Sequence, residues 1–434
     1  MRGALGGLWQ DREFLKLWGS ETVSLFGSAI TTLALPLTAV TILKASPAQM
    51  GLLGAATFAP FLLLTLPLGV WVDRSRRRPL LVTANLARAV LLALVPLGAA
   101  LGWLRIGWLY PIAFLVGVFD ALFHLAYAAY LPALVGPDHL LEGNSKLQAS
   151  ASTAEIAGPG LAGALVGVIG APFAVVLDAA SFLVGALGIG AIRRPEPRPA
   201  PPDARVQLGR EVLAGLRLVF GHPLLRPMAL EAATFNGCSQ AAGTLLVLYA
   251  TRELHLAPGV IGLVLAAGGA GALIGSLLAG PLAARWGLGR ALVGMAALAC
   301  LPGLLVPLAG GTRVLVIATL LLAAVLAGMG VAASSVHFLS LRQALTPPEL
   351  LGRMTASYRT LTYGVLPLGA LLFGFLAQLW SIRAALWVGA AGVSLAWLWV
   401  RCSPVWSVCE LPQPPEAAGQ DSGDVGFPVG QGVG

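Results

Sequence analysis

Runs of about twenty mostly apolar residues recur twelve times along this chain, and each is long enough to cross a lipid bilayer as a helix. They cover roughly 14–43, 50–72, 80–101, 107–131, 146–170, 172–192, 224–251, 258–284, 291–308, 314–339, 355–379 and 384–400. Backbone amides and carbonyls have no water to bond inside lipid, so such runs must be helices or strands of a closed barrel. Their length, and the lack of strict alternation, decides for helix. Of the 434 residues, 57% are hydrophobic and 11% charged, whereas a soluble domain carries about a quarter charged. The reading is an all-α membrane protein.

The basic residues test that count. With both ends of the chain in the cytoplasm, 21 Lys and Arg fall in inside segments, 5 in outside loops (Lys44, Arg105, Arg252, Arg313 and Arg383), and Arg88 lies within a span. Positive charge gathers on cytoplasmic loops, so the split supports twelve spans, cytoplasmic termini and an inner-membrane location. The formal charge of +8 is thereby accounted for without nucleic acid, since the arginines sit between apolar runs rather than along one stripe.

The chain divides into a six-helix bundle over residues 1–192, a cytoplasmic linker over 193–222, a second six-helix bundle over 223–402, and a tail over 403–434 expected to be disordered. The linker opens with a Pro-rich tether. It continues as an amphipathic helix, with Arg210, Ala214 and Arg217 on one face and Val212, Leu216 and Phe220 on another, expected to lie on the inner leaflet. The two bundles repeat one another. "GVWVDRSRRRPLL" follows the second span and "GPLAARWGLGRAL" the eighth; "LVGPDHLLEGN" precedes the fifth span and "ALTPPELLGRM" the eleventh. A parallel six-plus-six repeat makes the halves pseudo-symmetric and places a substrate path between them, near the bilayer midplane.

Charges within spans are costly and usually functional. Glu21, Arg88, Asp120, Glu155, Asp178 and Glu231 are the candidates for carrying a coupling proton, with Asp120 and Glu155 deepest by count. His124 and His337 are isolated in apolar helices and read as packed. Cys238, Cys300, Cys402 and Cys409 share no metal-ligand spacing and read as free thiols. No metal site, cofactor motif, nucleotide-cradling loop or catalytic constellation occurs, so the chain is not expected to be an enzyme or a primary pump. Its energy would come from a gradient.

Twelve spans, a repeat of halves and the turn Gly-x-x-x-Asp-Arg-x-x-Arg-Arg, formed by Gly69, Asp73, Arg74, Arg77 and Arg78, resemble the major facilitator superfamily. "LWGSETVSLFGSAITTLALPL", "EGNS" and "LDAASFLVGAL" bring the chain nearer to the branch of enterobactin exporters and macrolide efflux proteins. The resemblance implies a gate. Asp73 ends helix 2, where a carboxylate opposes its own helix dipole, and its implied partner is the N-terminal end of helix 11, starting near Thr355. Small Gly69 would let helix 2 approach a neighbour. Gly158, Pro159 and Gly163 of "AGPGLAGAL" resemble the antiporter motif of drug–proton exchangers, with Ala162 in place of one glycine. The family also implies a wall of helices 1, 4, 7 and 10, making Phe26, Phe119, Phe123, Phe235, Asn236, Gln240 and Phe338 candidate lining residues. The implied activity is export of a small amphipathic compound (drug, macrolide or siderophore-like) against protons, by a monomer in contact with membrane lipid. An importer or lysophospholipid transporter on the same fold, and a non-transporting scaffold or receptor, remain as alternatives.

Overall fold

The computed structural model describes residues 7–196, 208–347 and 350–408, and among these only helices and their connections occur. The first half holds α1 (Arg12–Leu37, prolonged by a π-helical stretch Thr38–Ile42), α2 (Pro47–Asp73), α3 (Arg77–Ala100), α4 (Ile106–Val135), α5 (Leu140–Ile169) and α6 (Ala171–Gly190). After the linker helix α7 (Leu208–Gly221) come α8 (Leu225–Arg252), α9 (Pro258–Trp286), α10 (Leu288–Cys300) with its continuation α11 (Leu305–Leu308), α12 (Arg313–Leu345), α13 (Leu351–Gly364), α14 (Leu366–Leu379) and α15 (Ile382–Arg401).

Eleven helical segments among the described residues are long and apolar enough to span a membrane. The expected twelve therefore need one qualification. The 28-residue α8 packs in the second bundle as α1 does in the first, but Glu231, Asn236, Ser239, Gln240 and Thr244 dilute its apolar character. Helix ends follow local chemistry. Asp11 caps α1, accepting from the amides of Glu13 and Phe14 at 2.9 and 3.3 Å. Ser46 and Gln49 form a capping box ahead of α2, with Pro47 in its first turn. Gly170, at φ +86°, ends α5 and starts α6 in one residue, a conformation a side chain would strain.

The repeat seen in the sequence is a repeat of packing. In the first half α1 packs on α5 and α6, α3 on α4 and α6, and α2 on α4; in the second, α8 packs on α14 and α15, α10 on α12 and α15, and α9 on α12. The halves meet through two further equivalent pairs, α2 with α14 and α5 with α9. Both seams are built from glycines that let backbones touch. A Cβ on Gly51 would stand 2.6 Å from the Ala370 carbonyl, and one on Gly262 would stand 2.4 Å from the Pro159 carbonyl. These contacts lie at the end of the bundle remote from the termini, where Arg252 also donates to the Ala45 carbonyl at 2.9 Å. Toward the terminal face the halves part. There a Cβ on Gly69 of α2 or on Gly280 of α9 would meet nothing within 4 Å and Asp73 is exposed, so the structure reads as closed on the remote face and open on the terminal face.

Three expectations need correction here. The linker helix α7 packs its Val219 against Met354 and Tyr358 of α13. Its buried side is thus turned onto protein rather than wholly onto a leaflet, and Phe220 is exposed. The tether at 197–207 lies outside the described residues. The tail is folded as far as Val408, because Val405 inserts beside α10 and the Val408 carbonyl accepts from Gly289 N at 2.7 Å; residues 409–434 lie outside the described residues. Helix 11 begins at Leu351 rather than Thr355, and is broken between α13 and α14 just before Pro367.

Candidate functional site: two polar clusters facing one opening

In the first half, three of the six candidate charges, Glu21, Asp120 and Asp178, gather around a fourth, Arg88. This guanidinium is 4% exposed. It lies between the rings of Phe123 and Phe182, 4.4 and 4.1 Å from their centroids, donates to Asp120 Oδ1 at 2.5 Å and donates to Asn85. Glu21 and Asp178 lie within electrostatic reach of both Arg88 and Asp120. Asp178 is buried and accepts from Ser181 Oγ at 3.1 Å, while Glu21 Oε2 and the neighbouring Tyr127 hydroxyl are buried without a partner. Glycines make the room: a Cβ on Gly27 would fall 2.6 Å from Asp178 Oδ1, and one on Gly185 would fall 2.8 Å from the Asn85 amide nitrogen. Three carboxyls thus share one guanidinium. Two net negative charges are costly to hold in so buried a site. Asp120 is its wet member, with the side chain 35% exposed.

One turn further along α4, His124 is exposed and within reach of Asp120 and Arg88 and also of Arg359 on α13. Charges from both halves meet across the opening at this residue, so the expectation of a packed His124 is corrected. His337 is buried, with Nε2 unpartnered.

The second half presents the opposite balance. A cavity of about 420 Å³ opens among α8, α12 and α13. Its wall carries Glu231, Arg342 and Arg359, with Asn236, Ser334 and Ser335 adding hydrogen-bonding groups. Glu231 is 5% exposed and has no hydrogen bond or ion pair among the described residues. Arg342 stacks on the Tyr358 ring at 3.8 Å, its Nε buried and unpartnered. Two guanidiniums and one carboxyl share this wall.

The remaining candidates are dispersed. Phe235, Asn236 and Phe338 line the cavity. Phe123 is instead buried beneath Arg88, and Gln240 is buried against Gly369 of α14, so neither is a lining residue here. Phe26 and Phe119 are half-buried on α1 and α4. Glu155 is exposed and joins neither cluster; its backbone abuts Gly269 of α9. Gly163 meets Gly259 and Gly262 across the α5–α9 seam, Pro159 is in the same contact, and Gly158 faces Ala29 of α1.

At the charged turn, Asp73 is exposed with no ion pair among the described residues, and Gly69 has open space beside it. The close approach expected of Gly69 is therefore not made in this conformation, whose terminal face is open. Arg77 and Arg78 are fixed by a residue that sequence reading missed. Glu196, just after α6, accepts from their amides at 2.6 and 3.1 Å and so caps α3. Arg78 also donates to the Ile189 carbonyl at 3.2 Å and to that of Gly190, where a cation meets the negative end of α6. Arg74 and Arg76 are exposed.

Residues 5–418 match the family described as transmembrane secretion effector. The chain belongs to this family of major facilitator transporters. It is 29% identical over 76% of its length to an uncharacterized MFS-type transporter, y4rN, of Sinorhizobium fredii, covering 80% of that protein. It is 27% identical over 75% of its length to the enterobactin exporter EntS of Shigella boydii, covering 76% of that protein. Among solved structures, the fold is shared with the nucleoside transporter NupG (TM-score 0.73, 11% identity, 90% of this chain and 98% of that one). It is shared also with a bacterial homologue of the iron transporter ferroportin in an inward-facing state (TM-score 0.70, 19% identity, 92% and 99%). The chain is a multi-pass membrane transporter and not an enzyme.

Proposed function

We propose that this transporter exports a small amphipathic compound from the cytoplasm in exchange for protons, by alternating access between its two halves. Its termini lie in the cytoplasm, as the distribution of Lys and Arg favours, and the open face described above is then the inward one. The observation that carries this reading is the acid excess around Arg88, placed beside the opening and reached through half-exposed Asp120. Protonation of Asp120 weakens its bond to Arg88, which holds α3 to α4. A proton taken from one side thereby changes the packing of the first half. The second-half cavity receives the substrate, and the glycine seams, α2 on α14 and α5 on α9, form the remote closure. Similarity to enterobactin exporters supports the export direction.

The test is transport in everted membrane vesicles. A drug or siderophore taken up on energisation should leave the vesicle when a protonophore is added, and Asp120→Asn should abolish accumulation while leaving substrate exchange. Accumulation that survives collapse of the proton gradient would sink the exchange reading.

A further inference from the structure

The second half contains a further cavity, of about 240 Å³, with a nearly all-apolar wall. It continues the polar cavity. Phe235 of α8 and Ala299 of α10 belong to both walls. Along α8 the polar cavity takes Glu231 and Asn236, and the apolar one takes Cys238, Ala242 and Leu246. Along the oppositely running α12 the order is the reverse in sequence and the same in space: Leu320 to Ala327 line the apolar chamber, Val331 to Arg342 the polar one. At 1.5 Å per residue these stretches stack one chamber above the other. The charged chamber is on the open terminal side and the apolar chamber lies toward the closed end.

We infer that the two chambers form one site for an amphipathic anion, its acidic head on Arg342 and Arg359 and its apolar alkyl or aryl body in the inner chamber. This rests on the transport reading above and adds the class of substrate. Arg342 carries the head assignment. It is one of two guanidiniums on a wall with one carboxyl, its Nε has no acceptor, and among the described residues it has no ion pair. Arg342 is half-buried, and a partly desolvated cation without a counter-ion favours a ligand that brings one. The apolar chamber carries the body assignment, because it leads inward from the head position and offers almost nothing for a polar group to bond. Outward movement of an anion and inward movement of a proton both run down an inside-negative potential, so the class suits the proposed exchange.

The full chain in zwitterionic nanodiscs provides the test, with three fluorescent probes of equal length: 11-(dansylamino)undecanoate, its methyl ester, and the corresponding trimethylammonium. Saturable binding at least tenfold tighter for the carboxylate is expected. Arg342→Gln should erase that preference and Arg342→Lys should keep part of it. Ala242→Phe, which fills the inner chamber, should weaken the undecanoate at least tenfold and leave a dansylated glycine, lacking the chain, unchanged; Ala324→Leu is the milder filling if the first variant does not fold. Equal binding of all three probes, or a preference indifferent to Arg342→Gln, overturns the head assignment. Long-chain binding indifferent to both filling variants overturns the inner chamber. Proton-driven transport in vesicles, measured separately, fails only if the export reading fails.

Discussion

The two halves share one packing plan and differ in the sign of the charge clustered on their inner faces. Each helix pair of the first half has its counterpart in the second. Yet the first half surrounds one guanidinium with three carboxyls and excludes water from most of them, while the second lines a cavity with two guanidiniums and one carboxyl. The turns between the second and third helices differ likewise. Asp73 to Arg78 stand in one, and Gly287 alone joins α9 to α10 in the other. A duplicated scaffold thus fixes where helices cross and leaves the side chains on the inner faces free to diverge. The division of labour proposed here, protons in one half and substrate in the other, is read from that divergence.

The largest effect is expected from removing the shared cation. Arg88→Met would leave Asp120, Glu21 and Asp178 without a counter-charge; breaking a fully buried pair costs about 3–5 kcal/mol, and this pair, with Asp120 partly exposed, should cost somewhat less. Thermal unfolding should drop sharply and transport should vanish. Asp120→Asn in the same background should recover part of the stability, because it removes the acid that Arg88 contacts. If Arg88→Met is as stable as wild type, the three-to-one imbalance is not what organises this half.

Glu231→Gln comes next and addresses the other half. Glu231 has no hydrogen-bond or ion-pair partner to lose among the described residues, so stability should change by less than about 1 kcal/mol, while export falls tenfold or more if its charge state is set by the substrate beside it. Export unchanged in Glu231→Gln would confine the essential carboxyls to the first half and sharpen the contrast between halves.

Much of this was legible in the sequence, and the exceptions share a cause. Apolar run length gave the spans, and the repeated turns gave the halves. α8 falls below the hydropathy of its neighbours because Glu231, Asn236 and Gln240 face protein rather than lipid, a distinction run-averaged composition does not make. Arg88 and Asp120 were candidates as isolated charges; that they form a pair depends on α3 crossing α4, which no local pattern encodes. Arg342 lies just past the apolar run 314–339, among the 21 inside charges. The spacing of Val331, Ser335, Phe338 and Arg342, by four, three and four, places them on one helical face and was the available signal. Glu196 was beyond reach, since it caps a helix 118 residues earlier in the chain.

A smaller effect distinguishes the two helix caps on the terminal face. The start of α3 is held by the side chain of Glu196 and that of α10 by the backbone carbonyl of Val408. Glu196→Ala should cost about 1 kcal/mol. Val408→Ala keeps its carbonyl and should cost less than half of that. Equal losses in chemical denaturation would mean that the two attachments work through packing and that the difference between side-chain and backbone caps is immaterial.

Asp73→Asn should have the smallest effect on stability and an informative one on conformation. In the described state Asp73 is exposed and forms no ion pair, so nothing is lost on neutralising it, and a shift within about 0.5 kcal/mol is expected. The carboxylate stands at the C-terminal end of α2, where its own helix dipole disfavours it. A partner across the opening would relieve that, and the start of α13 is the element that would reach it when the terminal face closes. The substitution therefore acts only on the closed population. Spin labels at Ser75 and Thr355 should report a distribution of short and long distances in wild type, and loss of the short component in Asp73→Asn. The equivalent turn of the second half has no acid, so no latch of this kind is expected between α9 and α5. A short component that persists in Asp73→Asn would remove the latch and leave the terminal face of the two halves governed by the same uncharged contacts.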